Sequence, residues 1–549
     1  MSAEAGRGIS PGRLAARLVA AGLGITEADR SRPHELRCRV PRAALPGLAD
    51  LLRSELDLQV HWLAGADTRP LDGAFSLVYR FGSRPPVRGA AGGPGGPGGP
   101  GGLQVVAEVR VPAEDPTFPS LAARSFLFSR HEREVQDLLG LTAVGHPDPR
   151  RLPLHQFWPE GYHPLRRDAA PPGELVDDGR PYPFRRVEGE GIFEITVGPV
   201  HAGIIEPGHF RFSVEGETVV NLETRLYFVH KGTEKLFETL PFERTVELAE
   251  RISGDTSVGH ALAYCQALEA LTGTVVPPRA RWLRTLYLEL ERLYNHVGDV
   301  GAIVNDTGFA WGHAHATRLR EDLQRLAGRL TGHRLLRGAV VPGGVAADHG
   351  EAALRDAATV TARVAREFQE VTAIALGNTL VLERLQGTGR LASPTAADMQ
   401  VVGLVGRASG LDADLRRDLP FAAYGELPVE VSVRTEGDVW ARTMVRIDEV
   451  RESVRLVGEV ARGLPPGPVA APLAPRPTRA HAFGLVEAWR GPVLHWVLTG
   501  PGGELWRVKV QDPSFVNWPA LEQAILDNIV PDFPLCNKSF NLSYSGHDL

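Results

Sequence analysis

The stretch from Gly198 to His260 constrains this chain most, because it places chemically active side chains at the start of a predicted β-hairpin. Apolar and polar residues alternate through FRFSVE (210–215), and the turn sequence GET (216–218) follows. The Gly- and Pro-containing loop before the hairpin carries three polar candidates, His201, Glu206 and His209. Side chains at the open end of a hairpin can converge on a cavity, so we expect a polar site here.

Three motifs in this stretch resemble one family. They are GPVH (198–201), EPGHFRF (206–212) and VHKGTEK (229–235). They are similar to motifs in the large subunits of membrane-bound nickel–iron hydrogenases of the formate hydrogenlyase type, and in the related D-type subunit of NADH-quinone oxidoreductase (complex I). The later motif GRASG (406–410) continues the resemblance, which extends over nearly the whole chain.

The cysteines that bind the metals in such hydrogenases are missing. The resemblance places one Cys-x-x-Cys motif just before Gly259–His260 and the other in the C-terminal tail. The four positions are held here by Ser253, Thr256, Ser543 and Gly546. A nickel–iron centre needs soft thiolate ligands, whereas a hydroxyl is a hard donor and glycine has none. The chain has three cysteines and no CxxC pair, so we expect it to bind no nickel.

The N-terminal part resembles the C-type subunit of NADH-quinone oxidoreductase. The motifs are PSL (119–121), HEREVQDLLG (131–140), GHPD (145–148) and GYHPLR (161–166). In that family the domain is structural and packs on the D-type subunit. We therefore interpret His131, Glu132 and Glu134 as a solvated or docking face of a helix, rather than as a metal or acid–base site.

These observations predict an α+β protein with two domains. Residues 1–166 form an N-terminal α/β domain like the C-type subunit, with a flexible Gly- and Pro-rich insertion at 89–102. Residues 167–190 form a linker. Residues 191–549 form a large, mainly helical domain like the D-type subunit and the hydrogenase large subunit, with a β-hairpin at its start and a mixed C-terminal part.

Periodicity predicts the individual elements. Helices are expected at 11–21, 48–56, 239–251, 260–268, 279–304, 318–330, 351–375 and 438–461. Strands are expected at 59–63, 75–80 and 103–111, the last two paired, and a second hairpin at 484–498. The segment 505–519 is expected to be a strand followed by a loop, and the tail after Pro534 to return towards Ser253.

The resemblance implies a cavity with a defined polar lining. The candidate residues are His201, Glu206, His209, His230, Glu234, Ser253, Thr256, His260, Arg407, Asp414 and Asp418. Of these, His201, Glu206, His209, Glu234, His260 and Arg407 are the catalytic candidates. A purely structural role stays open for His230 and His260, and Asp414 with Asp418 is more typical of a salt-bridge cluster.

The candidates suggest proton and electron chemistry. Histidine titrates near neutral pH, so His201 and His209 can relay protons or donate to a quinone carbonyl. Glu206 and Glu234 are candidate proton carriers, and the resemblance suggests a proton exit at Glu234. The resemblance also places Arg407 near an iron–sulfur cluster of the small subunit, where its charge would favour the reduced state. His201, His230 and Arg407 are thus the candidate contacts to a quinone or to that cluster.

One departure weakens the case for quinone. The D-type subunit carries a tyrosine that bonds the quinone head group, and its place falls here near Gly254. No tyrosine occurs between Ser253 and His260. Quinone therefore remains an alternative, and otherwise we expect no cofactor on this chain and an iron–sulfur cluster in a partner small subunit.

The net charge and hydropathy of the sequence limit which partners and which cellular location we expect for this chain. The net charge of −6 argues against nucleic-acid binding. The sequence has no apolar run of about 18 residues and no secretory pattern at its start. We expect peripheral attachment at the cytoplasmic face of the plasma membrane, through antiporter-like and other membrane subunits.

Three functions remain open from the sequence. The first is a metal-free large subunit that couples electron transfer from an iron–sulfur small subunit to proton or ion translocation. The second is a quinone-reducing, fused C/D-type subunit of a complex I-like enzyme. The third is a non-catalytic assembly scaffold.

Overall fold

The computed structural model describes residues 10–32, 34–83, 85–87, 103–177, 179–201 and 205–549. They divide into two compact units. The first takes the described parts of Met1–Pro86 and Pro94–Arg185, with Asp398–Gln400, and the second takes the described remainder. The chain passes from one unit to the other between Arg185 and Arg186, within the predicted linker. The predicted flexible insertion at 89–102 lies outside the described residues.

The first unit is a five-stranded sheet with helices. Its elements are α1 (Pro11–Ala20), β1 (Thr26–Arg32), β2 (Glu35–Arg39), α2 (Leu45–Leu56), β3 (Leu58–Asp67), α3 (Arg69–Asp72), β4 (Ala74–Ser83), β5 (Gln104–Pro112), β6 (Thr117–Pro119), α4 (Phe126–Leu139) and β7 (Thr142–Val144). The strand order is β1-β2-β5-β4-β3, and only β2 and β5 run parallel within it. The predicted pairing of 75–80 with 103–111 is confirmed, with Phe75 opposite Val111.

The charged segment of α4 does not form the solvated face that we predicted. His131, Glu132 and Glu134 are all buried. Glu132 accepts hydrogen bonds from the backbone N–H of Leu121 at 2.6 Å and from the Ser120 hydroxyl at 2.5 Å. The solvated face was wrong because Ser120 and Leu121 bring a neighbouring loop onto the helix through these bonds, which offset the cost of burial. The alternative of a docking face stays a prediction.

The second unit contains three small sheets and most of the helices. Its elements are β8 (Ile192–Val197), β9 (His209–Glu215), β10 (Thr218–Arg225), α5 (Thr233–Phe237), α6 (Thr245–Ala249), α7 (Ser257–Thr272), α8 (Pro278–Asp306), α9 (Ala310–Thr331), β11 (Val340–Val341), β12 (Gly344–Val345), α10 (Glu351–Leu376), α11 (Thr379–Leu385), α12 (Ser393–Asp398), α13 (Gly403–Ala408), α14 (Leu415–Asp418), α15 (Val439–Gly463), β13 (His481–Glu487), β14 (Pro492–Thr499), β15 (Leu505–Gln511), α16 (Pro513–Ala524), α17 (Phe533–Phe540) and α18 (Tyr544–Asp548).

Both predicted hairpins are confirmed. β9 pairs with β10 and gains β8 as a third strand that the sequence did not predict, and β13 pairs with β14, which also pairs with β15. The expected loop at 513–519 is instead the start of α16. Asp512 caps this helix by accepting from the N–H of Ser514 at 2.7 Å, and Pro513 suits its first turn.

The long helix α8 lies at the centre of the second unit. It packs against α9 and α15, and buried apolar residues of α7, α8, α9, α10 and α15 form one core. The α+β class is therefore confirmed. The predicted helix at 239–251 is shorter, because a 3₁₀ turn occupies Phe242–Arg244 after Pro241.

Within the described ranges, no helix is both long and apolar enough to cross a membrane.

Candidate functional site

The four positions at which the resemblance places the cysteines of the hydrogenases meet in space. We call Ser253, Thr256, Ser543 and Gly546 the lost-ligand cluster. The Oγ atoms of Ser253 and Ser543 lie 2.8 Å apart, although 290 positions separate them in the chain. Ser543 Oγ also accepts from the Gly546 N–H at 2.9 Å, and the Thr256 N–H donates to the Ser253 carbonyl at 3.0 Å. The tail therefore returns to Ser253, as the sequence predicted.

Local folding explains this arrangement. Ser253 and Thr256 lie in the turn that precedes α7, and Ser543 caps α18 through its bond to Gly546. The Ser543 N–H donates to the Ser514 hydroxyl at 2.9 Å, which ties the tail to the first turn of α16. The lost-ligand cluster is thus built where the ends of three helices meet.

An ion pair contacts the cluster at Ser253 and Thr256. Arg490 donates to both oxygens of Asp255, at 2.6 and 2.7 Å, in the bidentate geometry that makes such pairs strong. Ser253 and Thr256 donate to the same carboxylate at 2.9 and 3.0 Å. Burial opposes ionisation of Asp255, but the charge of Arg490 and these bonds outweigh it and hold the pKa of Asp255 at about 2.

The residues do not fit a nickel–iron centre. The hydroxyls of Ser253 and Thr256 are hard donors already bound to Asp255, so they cannot replace bridging thiolates. A Cβ atom at Gly546 would lie 2.7 Å from Cγ of Asp512 and 3.0 Å from Ser543 Oγ, so a cysteine side chain has no room there. The described residues also contain no group of three or more His, Cys, Asp or Glu placed to hold a metal.

His260 links the cluster to the interior. Its Nε2 lies 3.0 Å from Oδ2 of Asp512, and its Nδ1 lies 3.1 Å from Nε2 of His495. All three side chains are buried. Burial and the neighbouring His260 hold the pKa of His495 well below its ordinary value. His260 is therefore fixed by a carboxylate on one side and a neutral imidazole on the other.

Glu206 is the residue of the opening loop that reaches the cluster. Its carboxylate accepts from the N–H of Ser545 at 3.1 Å. His201 and His209 instead bond the loop backbone, since His201 Nε2 lies 2.9 Å from the Gly208 carbonyl and His209 Nδ1 lies 3.4 Å from that of Gly198. Burial lowers the pKa of His209. Residues 202–204 lie outside the described ranges.

His230 and Glu234 are held in different ways. His230 is exposed, and its Nδ1 lies 2.5 Å from the Asp548 carbonyl in the tail. Glu234 is buried between two cations, Arg507 at 2.5 Å and Lys509 at 3.1 Å. Burial opposes its ionisation, but these charges prevail and hold the pKa of Glu234 at about 2. This environment favours a permanent charge over a proton carrier.

Arg407 lies in a separate buried ion network. It contacts Glu449 at 2.7 Å, Glu487 at 2.9 Å and Asp414 at 3.4 Å. Asp418 is at the edge of this region, where it pairs with Arg417 at 2.7 Å. The structure thus brings Ser253, Thr256 and Glu206 to one site, with His260 next to it through Asp512, and assigns Arg407 and Asp414 to another.

Sequence reasoning missed four residues of the site, Asp255, Arg490, Asp512 and His495. The Asp-Pro-Ser sequence at Asp512 is a helix-capping signal that would have placed its carboxylate at the start of α16. Asp255 lies between the positions of Ser253 and Thr256, and motif spacing gives no role to a residue between the two ligand positions. Arg490 and His495 gave no signal, because their partners lie more than two hundred positions away.

The fold and the site define a fused C/D-type subunit of a redox complex. Two family models match it: the respiratory-chain NADH dehydrogenase 30 Kd subunit over residues 38–174 and the 49 Kd subunit over residues 306–480. The chain is 33% identical to formate hydrogenlyase subunit 5 of Escherichia coli, over 92% of this chain and 87% of that protein. It is 30% identical to the C/D-type subunit of NADH-quinone oxidoreductase from Phocaeicola vulgatus, over 70% and 78%. The chain belongs to this family of oxidoreductase subunits.

A solved structure supports the same relationship. A chain of the membrane-bound sulfane sulfur reductase, an archaeal respiratory membrane complex, matches with a TM-score of 0.62 and 27% identity. The match covers 66% of this chain and 99% of that one.

Proposed function

We propose that this chain is the large subunit of a membrane-associated oxidoreductase complex that works without nickel. An iron–sulfur small subunit delivers electrons, and the polar site couples their transfer to proton or ion movement in antiporter-like membrane partners. The complex holds the chain at the cytoplasmic face of the plasma membrane. The relatives' membership of hydrogenase and respiratory membrane complexes supports the membrane partner subunits in this proposal.

One observation carries the proposal: the four positions of the lost-ligand cluster lie together, but their groups do not suit a nickel–iron centre. Its hydroxyls and backbone are joined to the Asp255–Arg490 pair, and Asp512 fills the space beside Gly546. In the Asp255–Arg490 pair, Arg490 is buried and Asp255 is half-buried. Their hydrogen-bonded partners give the pair a fixed charge pattern, which suits stabilisation of a neighbouring redox change better than hydrogen chemistry.

Sulfane sulfur is a second candidate acceptor, beside quinone. The solved relative is named as a sulfane sulfur reductase, and almost all of that chain aligns with this one. The acceptor is therefore to be tested with sulfane sulfur, a quinone analogue and protons in parallel.

The experiment compares turnover with assembly in the purified complex. We expect reduction of an acceptor other than protons, and loss of that activity in Glu206→Ala with the complex still assembled. His201→Ala tests the neighbouring histidine in the same way. Hydrogen evolution would overturn the proposal, and unchanged turnover in both variants would leave only the scaffold function.

A further inference from the structure

A buried charge network lies behind the lost-ligand cluster, on elements far apart in sequence. It comprises Glu289, Arg292, His296, Arg407, Asp414, Arg416, Glu449 and Glu487, from α8, α13, the start and first turn of α14, α15 and β13. None of these residues is more than 2% exposed. Charges so fully buried are tolerated when opposite charges and hydrogen bonds compensate them.

The guanidinium groups join the network. Arg407 contacts Glu449, Glu487 and Asp414 at 2.7, 2.9 and 3.4 Å. Arg416 contacts Asp414 at 2.7 Å and Glu289 at 3.3 Å. Arg292 contacts Glu449 at 3.3 Å and Glu289 at 3.4 Å. Every carboxylate of the network therefore touches at least one guanidinium.

The named residues do not balance in charge. Four carboxyl groups face three guanidinium groups, and His296 is the remaining titratable member. If all the carboxyl groups are ionised and His296 is neutral, one negative charge has no counterpart among these residues, which are closed to water. The neighbouring Arg446 has its own carboxylate partner, Asp299, at 2.9 Å. An uncompensated buried charge is costly, so the network favours binding one proton.

Three of the four carboxyl groups are held in the ionised form. Glu449 accepts from Arg407 at 2.7 Å and lies 2.7 Å from Nε2 of His296. Its pKa is well below the ordinary value because the charge of Arg407 and the hydrogen bond with His296 outweigh burial. Asp414 is held by Arg416, and its pKa is about 2 although burial opposes ionisation. Glu289 has two guanidinium partners and bonds to the hydroxyls of Ser453 and Tyr424, and its pKa is also lowered.

Glu487 is the exception among the carboxyl groups. Among the described residues it has one guanidinium partner, Arg407, which it shares with Asp414 and Glu449. Its second oxygen accepts one bond from the same part of the chain, from the N–H of Leu415 at 3.2 Å. Burial, and then the charge of Asp414, raise the pKa of Glu487 to about 7. His296 is the competing site, but burial lowers its pKa in spite of Glu449.

We propose that Glu487 is a proton-loading site that takes up and releases one proton behind the lost-ligand cluster. Arg292 connects the two regions, since it donates to the carbonyls of Glu487 at 2.8 Å and Ala488 at 3.2 Å, just before Trp489 and Arg490. A change of charge near Arg490 is thereby coupled to the proton on Glu487. The inference concerns this chain alone and goes beyond the proposed function, because it holds whichever acceptor the complex uses.

The test compares two isosteric variants of the full-length chain, Glu487→Gln and Glu449→Gln. Glutamine mimics a neutral carboxyl group, so Glu487→Gln should fold at pH about 6 with an unfolding midpoint near the wild-type value. Glu449→Gln should lower that midpoint strongly, because it removes an ionised group from between two guanidinium groups. Failure of Glu487→Gln to fold at that pH, or equal tolerance of both variants, would overturn the proposal.

Infrared difference spectroscopy provides a direct readout of the same chain. Between pH about 6 and about 8, the wild-type chain should lose a protonated-carboxyl C=O band that Glu487→Gln lacks. Glu132 and Glu291 are buried carboxyl groups whose pKa values are also raised, to about 7 and about 8, so Glu132→Gln and Glu291→Gln serve as controls. Both controls should keep the Glu487 band. A Glu487→Gln difference spectrum identical to that of the wild-type chain would contradict the assignment.

Discussion

The chemistry of the lost-ligand cluster depends on small differences between side chains, such as an oxygen atom in place of a sulfur atom. A hydroxyl at Ser253 differs from a thiol by one atom, yet it donates to Asp255 where a thiolate would bind a soft metal. At Gly546 the missing side chain makes room for the carboxylate of Asp512. The site is therefore remodelled around charge and hydrogen bonds, and its residues now depend on one another.

The crowding at Gly546 leads to a stability prediction. Gly546→Ala should lower the free energy of unfolding by about 1–3 kcal/mol, because the new methyl group would clash with Asp512 and Ser543. Gly328→Ala is the matched control, since nothing lies within 4 Å of its Cβ position inside α9. It should raise the free energy by about 0.5–1 kcal/mol. Urea unfolding of both variants measures this, and a Gly546→Ala chain as stable as the wild type would contradict the geometry.

Glu234 gives a prediction on acid stability. Its folded pKa of about 2 lies below the ordinary value of 4.5, so its contribution to stability is full above pH 4.5 and is lost as the pH falls towards 2. Glu234→Gln should cost about 3–5 kcal/mol at neutral pH, because it leaves buried Arg507 and Lys509 without their carboxylate. Between pH 4.5 and about 2, the free energy of unfolding of this variant should also fall less steeply than that of the wild type (the acid limb of the stability curve).

The control for Glu234 is an exposed pair. Glu351 and Arg355 approach to 3.7 Å with side chains 88% and 74% exposed, so Glu351→Gln should change stability by less than about 1 kcal/mol. Thermal unfolding from acid to neutral pH measures both variants. An unchanged acid limb in Glu234→Gln would contradict the buried pairing.

Among the elements, the periodicity of apolar residues predicted those helices whose formation depends on local sequence. The long helices α8, α10 and α15 were predicted to within two residues at either end, because their apolar stripes repeat over many turns. The start of α16 was missed because its helical signal is only a cap and a proline. The burial of the charged segment in α4 was missed because its hydrogen-bond partners lie on another segment.

The candidate site was predicted only in part, because some of its residues come from distant segments of the chain. The four residues of the lost-ligand cluster were found through the spacing within each motif, which is a local feature of the sequence. Arg490 and Asp512 complete the site, but they reach it only after β13 and β14 pack on α7 and β15 pairs with β14. The network around Glu487 draws on elements spread over some two hundred positions, so no local pattern reports it.

The packing of β13 on α7 gives a prediction for these two elements. A Cβ atom at Gly484 would lie 1.8 Å from the Ala263 carbonyl oxygen and 2.7 Å from the Ala267 nitrogen. Gly484→Ala should therefore push the strand off the helix and lower the free energy of unfolding by about 3 kcal/mol, the upper end for overpacking. Urea unfolding beside Gly328→Ala measures it, and a change below that of an ordinary surface variant would show that the two elements can separate freely.

For the whole molecule, the family relationship and the site point to one account. The chain keeps the two-part organisation of the fused C/D-type subunits, and its similarity to formate hydrogenlyase subunit 5 extends over 92% of its length. Within that shared frame, the positions that would bind metal carry hydroxyls, backbone and an ion pair. This contrast between the shared frame and the residues at the four positions is the basis of the proposed nickel-free function.

Nickel content tests this account most directly. The complex, purified with its small subunit from cells supplied with nickel, is analysed for metal beside a hydrogenase large subunit that keeps its four cysteines. The account predicts only trace nickel in this complex and a full equivalent in the control. A full equivalent of nickel bound to this chain would contradict it.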